Sequence, residues 1–345
     1  MFCMKEFWLT IVLILFVFGI NAAKAESSKI DTVYFRHGDR LTGELVSLNK
    51  GILKLKTNDV GTVSIEWQNV DSLCILNPLR ILKHNGGILY GRLYPSGKNK
   101  VGILVDAQGD KSEIELVSIV ELIQLKEKIL SRLSGTLSTG FNYTRATEVS
   151  QLNFTGNLDY KGEKTIFSAN YDIVLTDDGT ETTQRQTGAA SFNRILPKNW
   201  SVVGKILAES NSEFKLDVRT SVITAGSYYF IRSNSQILQA GAGFSVNREF
   251  SGELAQNNIE GIIGLGYSLF IIDSPEVTYN FAGYLFPGLN RFGRVRSEIN
   301  TDLKWEIFSD FFLKGSLYFS FDNEPLSGVD THTDWGTSLG VEYKF

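Results

Sequence analysis

The sequence has little cysteine, proline and histidine. Of its 345 residues, two are cysteine, six are proline and three are histidine. So few Cys and His side chains exclude a zinc site at the usual ligand spacing, and we predict no metal and no cofactor. Cys3 lies in a segment that we expect to be removed, which leaves Cys74 alone and excludes an internal disulfide in the mature chain. Packing and strand pairing must therefore supply the stability.

Long apolar runs are also missing beyond the first twenty residues. Lys5 precedes an apolar run over residues 7–20, and residues 23–25 read Ala-Lys-Ala, a small-x-small cleavage site. The run is about 14 residues, shorter than the roughly 20 that a spanning helix needs. We therefore predict that residues 1–25 are a secretory signal peptide. The net charge of −4, without a basic run, argues against nucleic acid as a partner.

The last segment of the chain alternates apolar and polar residues. Its apolar face carries Trp335, Leu339, Val341, Tyr343 and Phe345. An amphipathic strand with a terminal aromatic residue resembles the C-terminal signal of bacterial outer-membrane β-barrels. The resemblance implies that Leu339, Val341, Tyr343 and Phe345 form a barrel-assembly signal, with the outer-membrane assembly machinery and outer-membrane lipid as partners.

The region before residue 130 contains an internal repeat. Residues 33–45 match residues 81–93 at an offset of 48, and residues 65–73 match residues 114–122 at an offset of 49. Short alternating runs broken by Gly, Asn and Asp predict β-strands joined by turns. We predict two small tandem β-barrel-like modules of about five strands each, which share one core. Their predicted bounds are 26–76 and, with a charged connector, 77–131.

Residues 132–345 have a different pattern, in which segments of about ten residues alternate with period two. This is typical of strands that cross a bilayer, and it predicts an all-β fold with an antiparallel transmembrane β-barrel of about twelve strands. The connections after even-numbered strands are tight, and those after odd-numbered strands are mostly longer, as over residues 248–257. The predicted strands are 133–145, 150–160, 164–175, 183–196, 199–209, 217–231, 236–247, 258–271, 276–286, 293–307, 311–321 and 333–345.

Charged residues on the polar face of these strands are the candidate functional residues. Both signs occur, and we place the residues inside the lumen: Asp159, Asp172, Lys205, Glu260, Arg294, Arg296, Glu298 and Lys304. Opposite charges that pair across a filled lumen would make the barrel a closed scaffold. Charges in a wet lumen would set ion selectivity. Twelve strands favour a narrow channel or structural barrel over a general porin.

The barrel pattern and an upstream motif resemble the YdiY-like, salt-induced outer-membrane protein family, a domain of unknown function. The motif is Gly38-Asp39-Arg40-Leu41-Thr42-Gly43-Glu44, preceded by His37 where the family has Asn. The second repeat keeps Asn85-Gly86 but lacks the Asp and Arg. The resemblance implies a barrel over roughly 133–345, and it supplies no catalytic residues.

Three motifs could carry chemistry, and each has a simpler interpretation. Residues 36–38 read Arg-His-Gly, which resembles the opening of histidine phosphatases, but a strand continues after it and we expect a turn. His332 with a neighbouring serine is the basis of an alternative function, a phospholipase-like, lipid-modifying hydrolase. We expect a solvated histidine instead. Residues 177–181 could hold Ca²⁺ weakly, but a solvated acidic loop is the expectation. We therefore predict no catalytic residues and no enzyme.

The expected location is the outer membrane, with the N-terminal modules in the periplasm. Residues 26–130 would there bind an envelope protein or peptidoglycan, or plug the periplasmic mouth of the barrel. The predicted function is an outer-membrane β-barrel protein with a structural, stress-related or narrow-channel role.

Overall fold

The structure is a computed structural model that describes residues 30–98, 100–104, 111–125, 132–145, 148–162, 164–212, 216–273, 275–324 and 332–344. The predicted signal peptide, nearly all of the predicted connector and Phe345 lie outside these residues. Two antiparallel β-sheets and two short 3-10 turns make up the described part, so the prediction of an all-β fold is confirmed. Within that part, no helix has the length and apolar character to cross a membrane.

The first sheet, which we call the N-terminal sheet, has nine strands. Its order is β4-β3-β2-β1-β5-β6-β7-β8, and β9 pairs with both β2 and β5. The 3-10 turns lie at Trp67–Asn69 and Leu116–Ser118. The strands are β1 Asp31–Phe35, β2 Arg40–Asn49, β3 Ile52–Lys56, β4 Thr62–Glu66, β5 Val70–Lys83, β6 Ile88–Gly97, β7 Lys100–Leu104, β8 Lys111–Glu115 and β9 Ile119–Gln124.

The internal repeat is visible in the strand pairing of this sheet. Val33 pairs with Leu73 in the first repeat, and Ile81 pairs with Leu122 at the equivalent place in the second. The predicted boundary between residues 76 and 77 lies inside β5, so the two repeats share a strand. In addition, β2 of the first repeat pairs with β9 of the second. One cluster of buried aliphatic residues, together with Trp67, contains side chains from both repeats.

The second sheet contains twelve strands, each hydrogen-bonded antiparallel to the next along the chain. This number agrees with the twelve predicted segments. The strands are β10 Leu133–Thr144, β11 Val149–Lys161, β12 Thr165–Asp177, β13 Thr182–Ile195, β14 Trp200–Asn211, β15 Leu216–Arg232, β16 Gln236–Ser251, β17 Leu254–Ile271, β18 Val277–Pro287, β19 Val295–Phe308, β20 Phe311–Asp322 and β21 Thr333–Tyr343.

Successive side chains of these strands point to opposite faces, as pleated strands require. Along β17, Asn258, Glu260 and Ile262 are buried, whereas Ile259 and Ile263 between and beyond them are exposed. The buried residues lie on the concave face, which we call the lumen. The exposed apolar residues lie on the outer face, which is the alternation that a lipid-facing barrel wall needs.

Short turns of two to five residues join the strands at one end of the sheet, which we call the turn side. The other end, the loop side, was expected to have mostly longer connections, but only those after β18 and β20 are longer, with seven and ten residues. The connections after β10, β12, β14 and β16 have two to four residues. The predicted long loop over residues 248–257 is wrong, because only Gly252 and Glu253 separate β16 from β17. Pairs such as Glu249 with Gln256 extend the ladder there. β16 and β17 have 16 and 18 residues, more than the roughly 9–11 residues that a strand needs to cross a bilayer. Their polar ends therefore resembled a loop in the sequence.

The N-terminal sheet packs against the turn side of the twelve-stranded sheet. Leu82, Val120 and Ile195 form a small buried cluster between the two sheets. Asn234 Nδ2 donates a hydrogen bond of 2.7 Å to the Ile119 carbonyl oxygen. Arg80 is fully buried, forms an ion pair with Glu121, and reaches the first turn at Gly162. Apolar and polar contacts therefore both hold the N-terminal sheet in place.

The outermost strands of the twelve-stranded sheet each have one neighbour. Among the described residues, no pairing joins β10 to β21, and most of their side chains are exposed on both faces. Unpaired backbone groups in hydrocarbon cost several kcal/mol each, so a spanning sheet must close. The two strands run antiparallel to each other, as an even strand number requires. Closure of the barrel through this pair stays a prediction.

Cysteine cross-linking tests this closure in lipid. We replace Cys74 with Ser, Leu137 with Cys, and in turn Thr337, Leu339 or Val341 with Cys, because all four positions lie on the outer face. In the liposome-refolded protein, one combination should give an intramolecular disulfide, detected by gel mobility with and without reductant. Cross-links only between two chains would contradict closure within one chain.

Candidate functional site

The loop side of the lumen contains a connected group of charged side chains. We call it the lumen network and define it as Arg219, Glu249, Glu260, Arg294, Arg296 and Asp322. Its members come from β15, β16, β17, β19, β20 and the residue before β19. Because these strands are up to five positions apart in the sheet, the concave curvature brings the charges together.

Arg294 lies at the centre of the first part of this network. Its Nη2 is 2.7 Å from Asp322 Oδ2 and 3.7 Å from Glu249 Oε1. Arg219 Nε donates a 3.0 Å hydrogen bond to the same Glu249 oxygen. Arg294 is 2% exposed and Glu249 is 0% exposed. A buried charge is tolerated only when it is paired and hydrogen-bonded, so these residues stabilise one another in the ionised form.

Arg296 and Glu260 form the second part of the lumen network. Arg296 donates through Nε and Nη2 to the two carboxylate oxygens of Glu260, at 2.8 Å each. This two-pronged geometry is the strongest arrangement that an Arg–carboxylate pair adopts. Asn247 Nδ2 donates a 2.9 Å hydrogen bond to Glu260 Oε2, and Phe286 lies under the guanidinium group at 4.7 Å. The pair is therefore fixed from several sides.

A cavity of about 580 Å³ lies beside the lumen network and opens toward the loop side. Its walls come from β13, β14 and β15 on one side and from β19, β20 and β21 on the other. Arg219, Arg296, Glu298 and Asp322 contribute charges to this cavity. The lining continues past Arg296 along β19 to Asn300 and along β20 to Tyr318, so the cavity and the ion pairs lie side by side in the lumen.

The structure groups some of the predicted lumen residues and separates others. Glu260, Arg294, Arg296 and Glu298 lie together, and Arg296 Nη1 is 3.7 Å from Glu298 Oε1. Lys304 belongs to a second group on the turn side, where its Nζ is 2.8 Å from Glu276 Oε1.

The turn-side group is more exposed than the lumen network. It contains Glu276, Lys304, Lys314, Glu342 and Lys344. Phe312 is 1% exposed beneath it, with Lys304 Nζ at 4.1 Å and Lys344 Nζ at 4.3 Å from the ring centre. The lysines there are 25–49% exposed. Ion pairs with this exposure contribute little to stability.

The remaining predicted charges lie on the lumen face away from both groups. Ser168 donates a 2.6 Å hydrogen bond to Asp159, and Asn170 donates a 3.4 Å hydrogen bond to Asp172. Lys205 has no ion pair among the described residues. These three residues leave the middle of the lumen polar without a dense charge cluster.

Sequence reasoning missed Arg219, Glu249 and Asp322. The predicted strands ended at residues 247 and 321, which left Glu249 and Asp322 in loops. Arg219 shares the alternation of Ser221 in β15, but a bulge between Tyr229 and Ile231 breaks the parity of that strand. Tyr229 shares the inward parity of Arg219 and Ser221, and the bulge after it brings Arg232 to the same face, where the Arg232 guanidinium lies 3.7 Å from the Tyr229 ring centre.

The motifs that resembled chemistry have structural roles here. The Gly38 N–H bonds the Phe35 carbonyl in a tight turn at φ +94°, and Gly86 forms the same turn in the second repeat. In the predicted acidic loop, hydrogen bonds from the Thr180 hydroxyl and from the Glu181 and Thr180 N–H groups lower the pKa of Asp178 to about 2. Over the described residues, no three His, Cys, Asp or Glu side chains gather as a metal site.

The described part of the predicted assembly signal lies on the outer face of the last strand. Leu339, Val341 and Tyr343 are 79%, 68% and 62% exposed. Phe345, the fourth residue of the signal, lies outside the described residues. The three side chains are therefore available to lipid or to another protein.

Substitution of Arg294 tests the burial of the lumen network. Arg294→Met leaves Glu249 and Asp322 without this counter-ion, so we expect a loss of about 3–5 kcal/mol in the free energy of unfolding. Urea unfolding of the liposome-refolded protein, followed by heat-modifiable gel migration, measures it. Lys314→Met is the control, because it removes a half-exposed pair in the same lumen and should cost about 0–1 kcal/mol. Equal effects of the two substitutions would contradict a buried network.

Comparison with known proteins gives one family and no characterised relative. A family model described as "Protein of unknown function, DUF481" matches residues 136–345. No curated protein matches the chain. The matched residues run from the fourth residue of β10 to the end of the chain, which is more than half of the sequence and takes in the whole lumen network. The chain therefore belongs to the DUF481 family of proteins of unknown function, which YdiY-like outer-membrane proteins typify.

Proposed function

We propose that this protein is an outer-membrane β-barrel with a narrow, ion-paired lumen and a structural or slow-conducting role, rather than a general porin. The family and the all-β fold fit an outer-membrane β-barrel protein. The observation that carries the finer proposal is the buried pairing of Arg294 with Glu249 and Asp322. A general porin needs a wide water-filled path at this depth, whereas these ion pairs occupy the β15–β19 part of the lumen and leave the cavity of about 580 Å³ beside them.

The N-terminal sheet supports the same proposal from the other end. It lies against the turns at residues 162, 195–199, 232–235 and 270–273. These turns belong to β11–β18, so the sheet covers part of the turn-side opening. We infer that residues 26–130 stand in the periplasm and partly cap the lumen. An envelope protein or peptidoglycan would bind on the side of this sheet that faces away from the barrel.

A neutral double substitution tests whether the lumen network limits ion flow. Glu260→Ser with Arg296→Ser removes both charges of the bidentate pair, so the net charge of the lumen does not change, and Glu298 loses its 3.7 Å contact with Arg296. We expect the wild-type protein in planar bilayers to give small single-channel steps or none, and the double variant to give larger steps. Lys314→Ser with Glu342→Ser is the matched control, because it removes an exposed pair and should leave the steps unchanged.

The outcomes separate the two roles and the porin. Large wild-type conductance that neither double substitution changes would contradict the narrow lumen. Conductance in the Glu260→Ser/Arg296→Ser variant alone supports a channel that ion pairs restrict. No conductance in any form, with folding verified by heat-modifiable migration, would leave the structural role and remove the channel.

The alternative hydrolase depends on His332. Its Nδ1 lies 3.1 Å from the backbone carbonyl of Asp322, and its side chain is exposed at the wall of the loop-side cavity. A catalytic base needs a nucleophile within hydrogen-bond reach, and the contact to Asp322 is to the backbone. We therefore propose no enzymatic role.

A lipid-hydrolysis assay tests this expectation directly. We expect no release of fatty acid from phospholipid vesicles by the refolded wild-type protein above a buffer control, and no difference for His332→Ala. Release that His332→Ala abolishes, with unchanged heat-modifiable migration, would establish the hydrolase and contradict the proposal.

A further inference from the structure

A second cavity lies where both repeats of the N-terminal sheet meet the turn side of the twelve-stranded sheet. Its volume is about 660 Å³, within the usual range of ligand sites. The two 3-10 turns form one wall, and they are joined because Trp67 Nε1 donates a 3.1 Å hydrogen bond to the Leu116 carbonyl. The turns around Asn234 and Asp273 form the other wall. We call this space the junction cavity.

Close packing fixes the junction cavity at one edge. Gly51 has φ +73°, and a Cβ there would lie 2.7 Å from the Asn234 carbonyl oxygen and 3.0 Å from Ile272 Cδ1. The β2–β3 turn therefore contacts the barrel turns as closely as a glycine permits. Two repeats and the barrel must all be in place for the cavity to exist.

The lining of the junction cavity combines an apolar floor with a basic rim. Trp67 and Phe270 are 6% and 7% exposed, and Leu116 and Ile272 extend the floor. Arg36, Lys98 and Lys100 line the rim and are exposed, and among the described residues their side chains make no ion pair. Glu115 and Asp273 are the acidic residues of the lining, so the cations exceed the anions by one. This chemistry fits an amphipathic anion.

The position of the junction cavity indicates where such an anion would come from. Ile271, which lines it, lies on the outer face of β17, and Val117 is 76% exposed beside it. On β14 and β15, three and two strands from β17, Trp200, Tyr228 and Phe230 form edge-to-face contacts at the same end of the sheet, with ring centres 5.1 Å apart. Aromatic residues in this place mark the interface between lipid and water in membrane barrels. The cavity thus opens at the level of lipid headgroups.

We propose that the junction cavity binds the headgroup of an anionic phospholipid from the leaflet on the turn side. Arg36, Lys98 and Lys100 contact the phosphate, and the start of the acyl chains lies against Ile271 and Val117. Asn234 lines the cavity, and its buried Oδ1 has no hydrogen-bond partner among the described residues, so it can accept from a headgroup hydroxyl. This inference rests on the proposed membrane location. A bound lipid would link the N-terminal sheet to the barrel.

Native mass spectrometry of the full-length protein tests the proposal. The protein is refolded with phosphatidylglycerol or phosphatidylcholine, released in mild detergent, and examined for bound lipid. One variant carries Arg36→Gln, Lys98→Gln and Lys100→Gln. The control variant carries Arg40→Gln, Lys54→Gln and Lys56→Gln, which removes the same charge from exposed positions of the same sheet outside the cavity lining. Inorganic phosphate is added to compete in a parallel series.

We expect one tightly held phosphatidylglycerol on the wild type and on the control, and a loss of affinity of about tenfold or more in the cavity variant, since three cations near an anionic lipid are removed. Equal retention by the two variants, equal retention of phosphatidylcholine, or complete displacement by millimolar phosphate would overturn the lipid site. Insertion into liposomes is scored in the same preparations. Protein that fails to insert would contradict the membrane location, whereas inserted protein without lipid preference contradicts the junction cavity alone.

Discussion

Hydrogen bonding of each strand to the next strand along the chain is the constraint on which the rest of the twelve-stranded sheet depends. It is unbroken from β10 to β21, and it fixes which residues share a face. With the register set, Ile259 and Ile263 face outward and Glu260 faces inward. The outer face can then meet lipid, and the inner face must pair its own charges. Arg296 with Glu260, and Arg294 with Glu249 and Asp322, satisfy that requirement.

The strands could be predicted because a spanning strand repeats a simple pattern. The twelve predicted segments differ from the observed strands by a few residues at their ends. The loop-side ends were less predictable, since strands that project into water lose the apolar outer face. Glu249 and Asp322 lie in such ends and were read as loop residues. Arg219 was missed for another reason. The bulge after Tyr229 shifts the alternation of inward and outward residues in β15, and no local residue type signals this bulge.

The internal repeat of the N-terminal region could be predicted from the sequence, but the pairing of strands between its two copies could not. Offsets of 48 and 49 residues locate equivalent strands, such as those of Val33 and Ile81. Sequence similarity is the same whether each copy closes on itself or exchanges strands with the other. The pairing of β2 with β9 and the continuity of β5 across residues 76–77 make one interlocked sheet. The contacts of Arg80 and Asn234 with their partners in the other sheet likewise depend on the tertiary arrangement.

The lumen network and the junction cavity lie at opposite ends of the same barrel wall, and the roles proposed for both require that the outer face be in lipid. Spin labels at successive positions 259–269 of β17 in liposomes measure this most directly. We expect odd-numbered positions to be accessible to oxygen and protected from a water-soluble nickel reagent, and even-numbered positions to be protected from oxygen. Accessibility of the odd-numbered positions to the nickel reagent along the whole strand would contradict a membrane barrel.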